Sequence, residues 1–451
     1  MKYFAILKDS LREALDSKVL YVLLGLSLLM ILFVATLSFK PLAAEKTLEQ
    51  VVDGSTGAIL EALKPDTDER GRRKKQGDAQ FGKNGELPFA MGGSDYRLEK
   101  ATVLRGTPDS PDADYLITLS KQFFNEAAAD KVRANPEAEL QAVRKHFARL
   151  EERNYCRIGD VRVSTEASSK PFNVDFHVEF LPTSAMRRLW LHEPSLFFGL
   201  VPLSEVDVPL GFQLFLIAQF VLSMGSWIAV LLSVIITAFF IPNMLQKGSV
   251  DLLLVKPVSR SLLLLFKFVG GLTLILLVNI FAVSGIWLAL GLRSGVWANW
   301  MLLLIPIFSF FFAILYSVST LIAVLTRSIV AAILITIGAW FLFFIVGFVN
   351  GQLEGAVHRE ERAKLPAEER SYTNSTLRSI VSAVHRALPR TSDLNELSAL
   401  LVFSDFIAGG YLSPERALSG ERNWWESFGV SSAFIAVMLG LSCWRFARKD
   451  Y

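Results

Sequence analysis

The sequence predicts an all-α polytopic membrane protein of about six transmembrane helices, with an N-terminal amphipathic elbow helix and an inserted extracytoplasmic α+β domain. Of the 451 residues, 52% are hydrophobic and the mean hydropathy is +0.40, above the roughly 45–50% apolar content of a soluble domain. That excess is concentrated in runs of about 20 residues or more, the length that crosses ~30 Å of hydrocarbon. Between the runs lie two long polar stretches. The net charge of +3 gives no case for a nucleic-acid partner. The two cysteines, Cys156 and Cys443, are too far apart in sequence and setting to suggest a disulfide framework or a metal site.

Residues 1–18 open the chain as an amphipathic helix. Phe4, Leu7, Leu11, Ala14 and Leu15 fall at three- and four-residue intervals, with Lys8, Asp9, Arg12, Glu13 and Asp16 between them. Such a helix lies in the membrane interface and leads into the first span. The uncharged run Val19–Phe39 is that span (19–39). Lys2 and Lys8 before it, and Leu42-Ala43-Ala44 after it, would also suit a signal peptide. The run exceeds the roughly 7–15 residues of a signal-peptide apolar region, so it reads as a span.

Residues 40–207 are charged and long enough for a folded domain. Thr47–Leu63 looks helical, and Lys64–Asp95, rich in Gly, Asp, Lys and Arg, reads as a mobile linker. Strand-like stretches follow at Tyr115–Leu119, Val161–Thr165 and Asn173–Phe180, the last alternating as Val174, Phe176, Val178, Phe180. Gln122 to Glu152 reads as helix interrupted at Pro136.

Residues 208–349 hold spans at Leu210–Ile241, Leu262–Leu292, Trp300–Thr326 and Ile329–Val349, with a loop at 242–261. The first two are long enough to tilt or protrude into water. A second polar stretch, 350–427, carries Leu377, Ile380, Val381, Val384 and Leu388 on one helical face. Leu397, Leu400, Leu401 and Phe406 mark another half-buried helix, and both are expected along the outer membrane surface. The last span is 428–446, and 447–451 form a tail.

Lys and Arg in short loops set orientation. With the N-terminus in the cytoplasm, the inner segments carry Lys2, Lys8, Arg12 and Lys18, then Lys247, Lys256 and Arg260, then Arg327, then Arg445, Arg448 and Lys449. The one short outer loop carries only Arg293. Both termini are therefore expected in the cytoplasm of a multi-pass protein of a bacterial inner (plasma) membrane. The cluster Arg70, Arg72, Arg73, Lys74, Lys75 would face outward, in a loop too long for the rule to govern. It reads as a solvated linker or a lipid-headgroup contact. Trp297, Trp300, Trp424, Trp425 and Trp444 sit at predicted span ends, as interfacial aromatics do.

No Asp or Glu falls within a predicted span, and Lys267 lies near enough to an end to snorkel. The five histidines, at 146, 177, 192, 358 and 385, all lie outside the spans. A proton-coupled carrier needs a titratable group in the membrane, and an ATPase needs a GxxxxGK[ST] loop. Neither is present, so the chain has no visible energy source, catalytic residue, metal site or cofactor of its own. Gln213, Gln219, Asn279, Ser317, Ser319 and Thr320 are the uncharged polar residues in the spans. They suit interhelical hydrogen bonds, and Gln213, Gln219, Asn279, Ser317 and Thr320 are the candidates for lining a translocation path.

A partner could attach at the cytoplasmic loop. Pro242 ends the long second span, Ser249 suits an N-cap, Asp251 sits in the first turn, Lys256 in the last, and Pro257 forbids continuation. The short helix Val250–Lys256 would expose Leu252–Val255, a surface for a partner groove or for the membrane interface.

The run Gly248-Ser249-Val250-Asp251-Leu252-Leu253-Leu254-Val255-Lys256-Pro257-Val258-Ser259-Arg260 resembles the coupling segment of type-2 ATP-binding-cassette (ABC) permeases. The amphipathic start, the large insertion after the first span, Leu388-Pro389-Arg390-Thr391 and the basic tail Arg445–Tyr451 are similar too. The resemblance implies a separate cytoplasmic ABC ATPase carrying the ATP and Mg, a second permease copy, alike or different, and surrounding membrane lipid. It assigns ATPase coupling to Gln246, Lys247, Gly248, Asp251, Leu252, Leu253, Lys256, Pro257 and Arg260. Gln246 stands where that family commonly has an acid, so an ion pair from there is not implied. The expected role is the permease of an exporter of unknown substrate. The alternatives are an ATPase-driven mechanical transmitter acting on an extracytoplasmic partner, and an uncoupled membrane scaffold.

Overall fold

The computed structural model describes residues 18–53, 95–164, 172–203, 208–237, 259–362, 376–406 and 424–448. The predicted elbow helix, nearly all of the linker at 64–95, and residues 238–258 lie outside them. The described chain is mostly helical with a small β-region. Its helices are α1 (Lys18–Ala35), α2 (Ala44–Val52), α3 (Glu126–Ala134), α4 (Glu137–Glu152), α5 (Leu210–Thr237), α6 (Arg260–Ser294), α7 (Leu304–Thr326), α8 (Ile329–Arg362), α9 (Thr376–Ala387), α10 (Thr391–Phe406) and α11 (Trp424–Arg448). Its strands are β1 (Ser38–Pro41), β2 (Tyr96–Arg105), β3 (Asp114–Gln122), β4 (Cys156–Val163), β5 (Asn173–Pro182), β6 (Leu191–Leu196), β7 (Val201–Pro202) and β8 (Val208–Pro209).

Among the described residues four stretches are long and apolar enough to cross a membrane: Arg260–Ser294, Asn299–Thr326, Ile329–Val357 and Trp424–Arg448. The first two predicted spans fall on α1 and α5, whose described apolar stretches, Leu20–Ala35 and Leu210–Val221, are shorter. α8 runs beyond the predicted end at Val349 to Arg362. Gln352, Leu353, Glu354 and Ala356 favour helix there against Gly351 and Gly355, and the Asn350 amide donates to Glu354 one turn on, at 2.9 Å.

The α+β domain is built on an antiparallel sheet in the order β2-β3-β5-β4. The alternation legible in β5 places Val174, Phe176, Val178 and Phe180 on one buried face. Register brings Tyr115 opposite Phe180, Ile117 opposite Val178 and Leu119 opposite Phe176. α2 and α4 cover that face with Leu48, Val52, Val143 and Phe147. Pro136 divides α3 from α4, as expected of a residue with no N–H to donate. Asn125 caps α3 through the amide of Ala128 at 2.9 Å. A second sheet pairs β6 with β1, β7 and β8, placing the strand after α1 and the strand before α5 on opposite edges of β6. β2 and this small sheet carry no clear sequence alternation; β2 is an edge strand with Arg97, Glu99, Lys100 and Arg105 along it.

The helices form a separate core of Val34, Leu214, Ile286, Leu304, Ile314, Phe343 and their neighbours. α10 differs from the half-buried surface helix expected. It is buried along most of its length: Leu394, Leu397, Leu401, Val402 and Phe406 belong to the helical core, while Phe403 packs into the core of the α+β domain. α9 fits the surface expectation better, since none of its residues is buried and Leu377 and Ile380 are exposed.

Replacing Phe176 by Ala, in the middle of the domain core, should cost about 3–5 kcal/mol through lost burial and the cavity left behind. Hydrogen exchange of the β3 and β5 amides should accelerate accordingly. Phe124→Ala, at a ring 98% exposed, should leave those rates unchanged.

Candidate functional site

Of the predicted coupling residues, Gln246, Lys247, Gly248, Asp251, Leu252, Leu253, Lys256 and Pro257 lie outside the described residues. Arg260 is the first residue of α6, directly after Ser259 in extended conformation. The segment thus connects the end of α5 to the start of α6.

The predicted path residues are not brought together on a common passage. Gln213 is buried, and its Nε2 donates to the carbonyls of His192 (2.5 Å) and Val208 (2.9 Å). It therefore ties α5 to the small sheet. Asn279 Nδ2 donates to Ser309 Oγ at 3.0 Å, joining α6 to α7. Ser317 and Thr320 donate to the carbonyls of Ile314 (2.7 Å) and Tyr316 (2.8 Å) in their own helix. Gln219 is half-buried on α5. In a medium without water these groups must find partners inside the protein.

A cavity of about 240 Å³ opens elsewhere, between α7, α8 and α10. Phe308, Phe311, Trp340, Phe344 and Phe348 form its aromatic wall, and Thr391, Ser392, Asn395 and Ser398 its polar side. None of the predicted path residues lines it. Among the described residues no charged group lines it either, so its chemistry is that of a binding cleft: apolar surface for a tail, hydroxyls and an amide for a polar end. The aromatic wall was visible in the sequence only as ordinary span composition.

A second feature missed in the sequence lies where the α+β domain meets the helices. Asp405, in the last turn of α10, is buried, and its Oδ2 accepts the amide of Met301 at 2.9 Å. Its backbone carbonyl accepts from Arg188 Nε at 3.1 Å. Gly211 passes so close to the carbonyl of Phe406 that a side chain there would collide with it. Phe215 of α5 meets Phe403 of α10 edge to face, with ring centres 5.6 Å apart. At the other end of α10, Asp393 accepts from Ser427 Oγ at 2.5 Å, and Arg390 pairs with Glu426. Asp405, an acid that follows the apolar run Leu400–Phe403, was the available signal.

Burial pushes the Asp405 carboxyl up to about 7, against the opposing pull of the Met301 and Trp300 amides and the Arg188 guanidinium. Apolar helices of spanning length joined to a polar α+β domain define a multi-pass membrane protein. The chain matches the model of the ABC-2 family transporter proteins over residues 4–451, and it belongs to that family. A comparison with curated proteins finds no match. The chain is thus a membrane permease of the ABC transporter type, a class of transmembrane subunits that are generally not catalytic themselves and associate with an ABC ATPase subunit.

The shift at Asp405 has a sign. A carboxyl that holds its proton to about pH 7 when folded, and only to about pH 4 when unfolded, stabilises the fold at low pH. That contribution is lost as pH rises through 7. His146 and His192 oppose it below about pH 6.5, because burial lowers both. The clean readout is therefore the difference between wild type and Asp405→Asn. Wild type should gain thermal stability over the variant as pH falls from 8 to 5.5, and a constant difference would refute the assignment.

Proposed function

We propose that this chain is the membrane-spanning permease subunit of an ABC exporter, with about six spans, working in a pair with a second permease copy. A separate cytoplasmic ATPase hydrolyses ATP, and its closure rocks the spans between inward- and outward-facing arrangements, a population shift set by the nucleotide state. The observation that carries this reading is the sequence Gly248–Arg260, whose pattern predicts a short apolar helix, between α5 and α6 in a chain of the ABC-2 family. The cleft between α7, α8 and α10 suits an amphipathic substrate.

A second reading is a mechanical transmitter, in which the same ATP cycle moves the α+β domain against an extracytoplasmic partner and nothing crosses. It is favoured by α10, which packs Phe403 into the domain core and Phe406 into the helical core. The two readings part in proteoliposomes containing permease and ATPase: export shows ATP-dependent movement of an amphipathic dye, and transmission shows turnover without flux.

The proposed orientation places both termini in the cytoplasm. Lys74→Cys and Glu361→Cys should then react with an impermeant thiol reagent from outside intact cells, and Gly248→Cys should not. Labelling at Gly248 from outside would reverse the topology.

Leu253→Asp places a charge on the face proposed to dock into the ATPase. An unpaired charge in an interface costs several kcal/mol, a loss of affinity of about a hundredfold or more. Arg260→Ala should weaken coupling less, because a charge at a wet rim contributes little. ATPase pull-down and permease-stimulated ATP turnover read both. Wild-type binding and turnover by Leu253→Asp would remove the segment from the coupling role.

A further inference from the structure

β6 turns back on itself through the 3-10 turn Phe197–Gly199 into β7, with Ser195 opposite Pro202 and Leu196 opposite Val201. Phe197 and Phe198 both hold left-handed backbone, φ +51° and +59°, followed by Gly199 at +103°. Bulky side chains rarely accept that conformation. The turn nevertheless points apolar groups away from the protein: Phe198 is 68% and Leu200 82% exposed, and Phe197, Val201 and Leu203 are also exposed. A strained turn that displays five large apolar side chains in seven positions is not accounted for by packing within the chain.

Its location supplies the occupant. The Phe198 amide donates to the carbonyl of Thr36 at 2.8 Å, one residue beyond α1. The Arg293 guanidinium lies over the Phe198 ring, 5.2 Å from its centre, and Arg293 Nε donates to the Leu37 carbonyl at 2.6 Å. Arg293 belongs to the last turn of α6, which is of spanning length and hydropathy. The turn therefore sits at the height where two apolar helices end. Leu292, Trp297 and Trp300 are exposed at that same end of α6. Aromatic rings and an arginine together are the chemistry of the bilayer interface.

We infer that the turn Leu196–Leu203 is a lipid-seated anchor, with Phe197, Phe198, Leu200, Val201 and Leu203 entering the interfacial layer of the bilayer on the α+β-domain side. Because β6 also pairs with β1 and β8, the anchor fixes the tilt of the small sheet, and with it the α+β domain, against the membrane plane. The inference requires only that α6 spans the bilayer and is independent of any ATPase.

The test uses the full chain in phosphatidylcholine nanodiscs, in a Cys443→Ala background; Cys156 is buried, with its thiol pushed up to about 12. Leu200→Cys, and separately Leu203→Cys, carry an NBD fluorophore, and Phe124→Cys on the exposed face of the domain is the reference. At 200 and 203 the emission should be blue-shifted, quenched by doxyl-phosphatidylcholine and protected from iodide. At 124 iodide should quench and the doxyl lipid should not. Iodide quenching at 200 and 203 equal to that at 124 would place the turn in water and overturn the anchor. Protection from both quenchers would mean that protein covers it, a second copy included, and would overturn it equally.

Discussion

The last turn of α10 carries the constraint on which the rest of the architecture depends. Phe403 and Phe406 are three residues apart and so neighbours on one side of the helix, yet they enter different cores. Between them Asp405 accepts the amide of Met301, at the 3-10 turn that leads into α7. Its carbonyl is held by Arg188 from the α+β domain. One helical turn thus fixes the domain, the head of α7 and, through Gly211, the start of α5. Burying a carboxyl there is unfavourable unless its hydrogen bonds are met. Both amide donors come from backbone, which positions them with little freedom to give way.

The polar residues of the apolar helices fit the same logic. Ser309, Ser317, Thr320 and Thr336 each return their hydroxyl to a carbonyl one turn back, so they bring little polarity to the helix surface. Besides the Asn279–Ser309 hydrogen bond, packing between α6 and α7 uses aromatic stacking: Phe268, Tyr316 and Phe312 form a run with centroid separations of 4.8 and 5.2 Å. Gly271 leaves the space the Tyr316 ring occupies. A cleft with a polar side is formed where α10 joins α7 and α8. The polar groups there come from α10, because the apolar helices keep theirs satisfied within.

Much of the frame was legible from pattern. Apolar runs gave the positions of the long helices, and alternation in Asn173–Phe180 gave β5 and its buried face. β2 was not legible because an edge strand covered by solvent on one side can carry charges at almost any position. α10 reads as a surface helix for a related reason: Asp393, Glu396 and Asp405 give it that polarity, and tertiary partners, Ser427 and Met301 among them, make burial of the two aspartates tolerable. Of the candidate site, Gln213 and Asn279 were recognisable as polar residues in apolar runs. Their partners, a sheet carbonyl and a serine on the next helix, were not, since long-range pairing leaves no local signature.

The geometry of α5 and α6 links the two ends of the molecule. Both flank residues 238–258 at one end, and both are fastened to the α+β domain at the other. α5 begins at Leu210, against Arg188 and Phe406. α6 ends at Gly295, in left-handed conformation at φ +70°, whose carbonyl accepts from Arg187. Arg187 and Arg188 are consecutive in one short turn, and Arg187 also pairs with Asp112 of the domain. At ~1.5 Å per residue, α6 with its 35 residues reaches about 50 Å. No proline interrupts the helix between those ends. A displacement at its Arg260 end would then be delivered to the domain through Arg187, and one at the α5 end through Arg188. The two helices beside the proposed coupling segment are thereby the ones whose far ends converge on a single turn of the α+β domain.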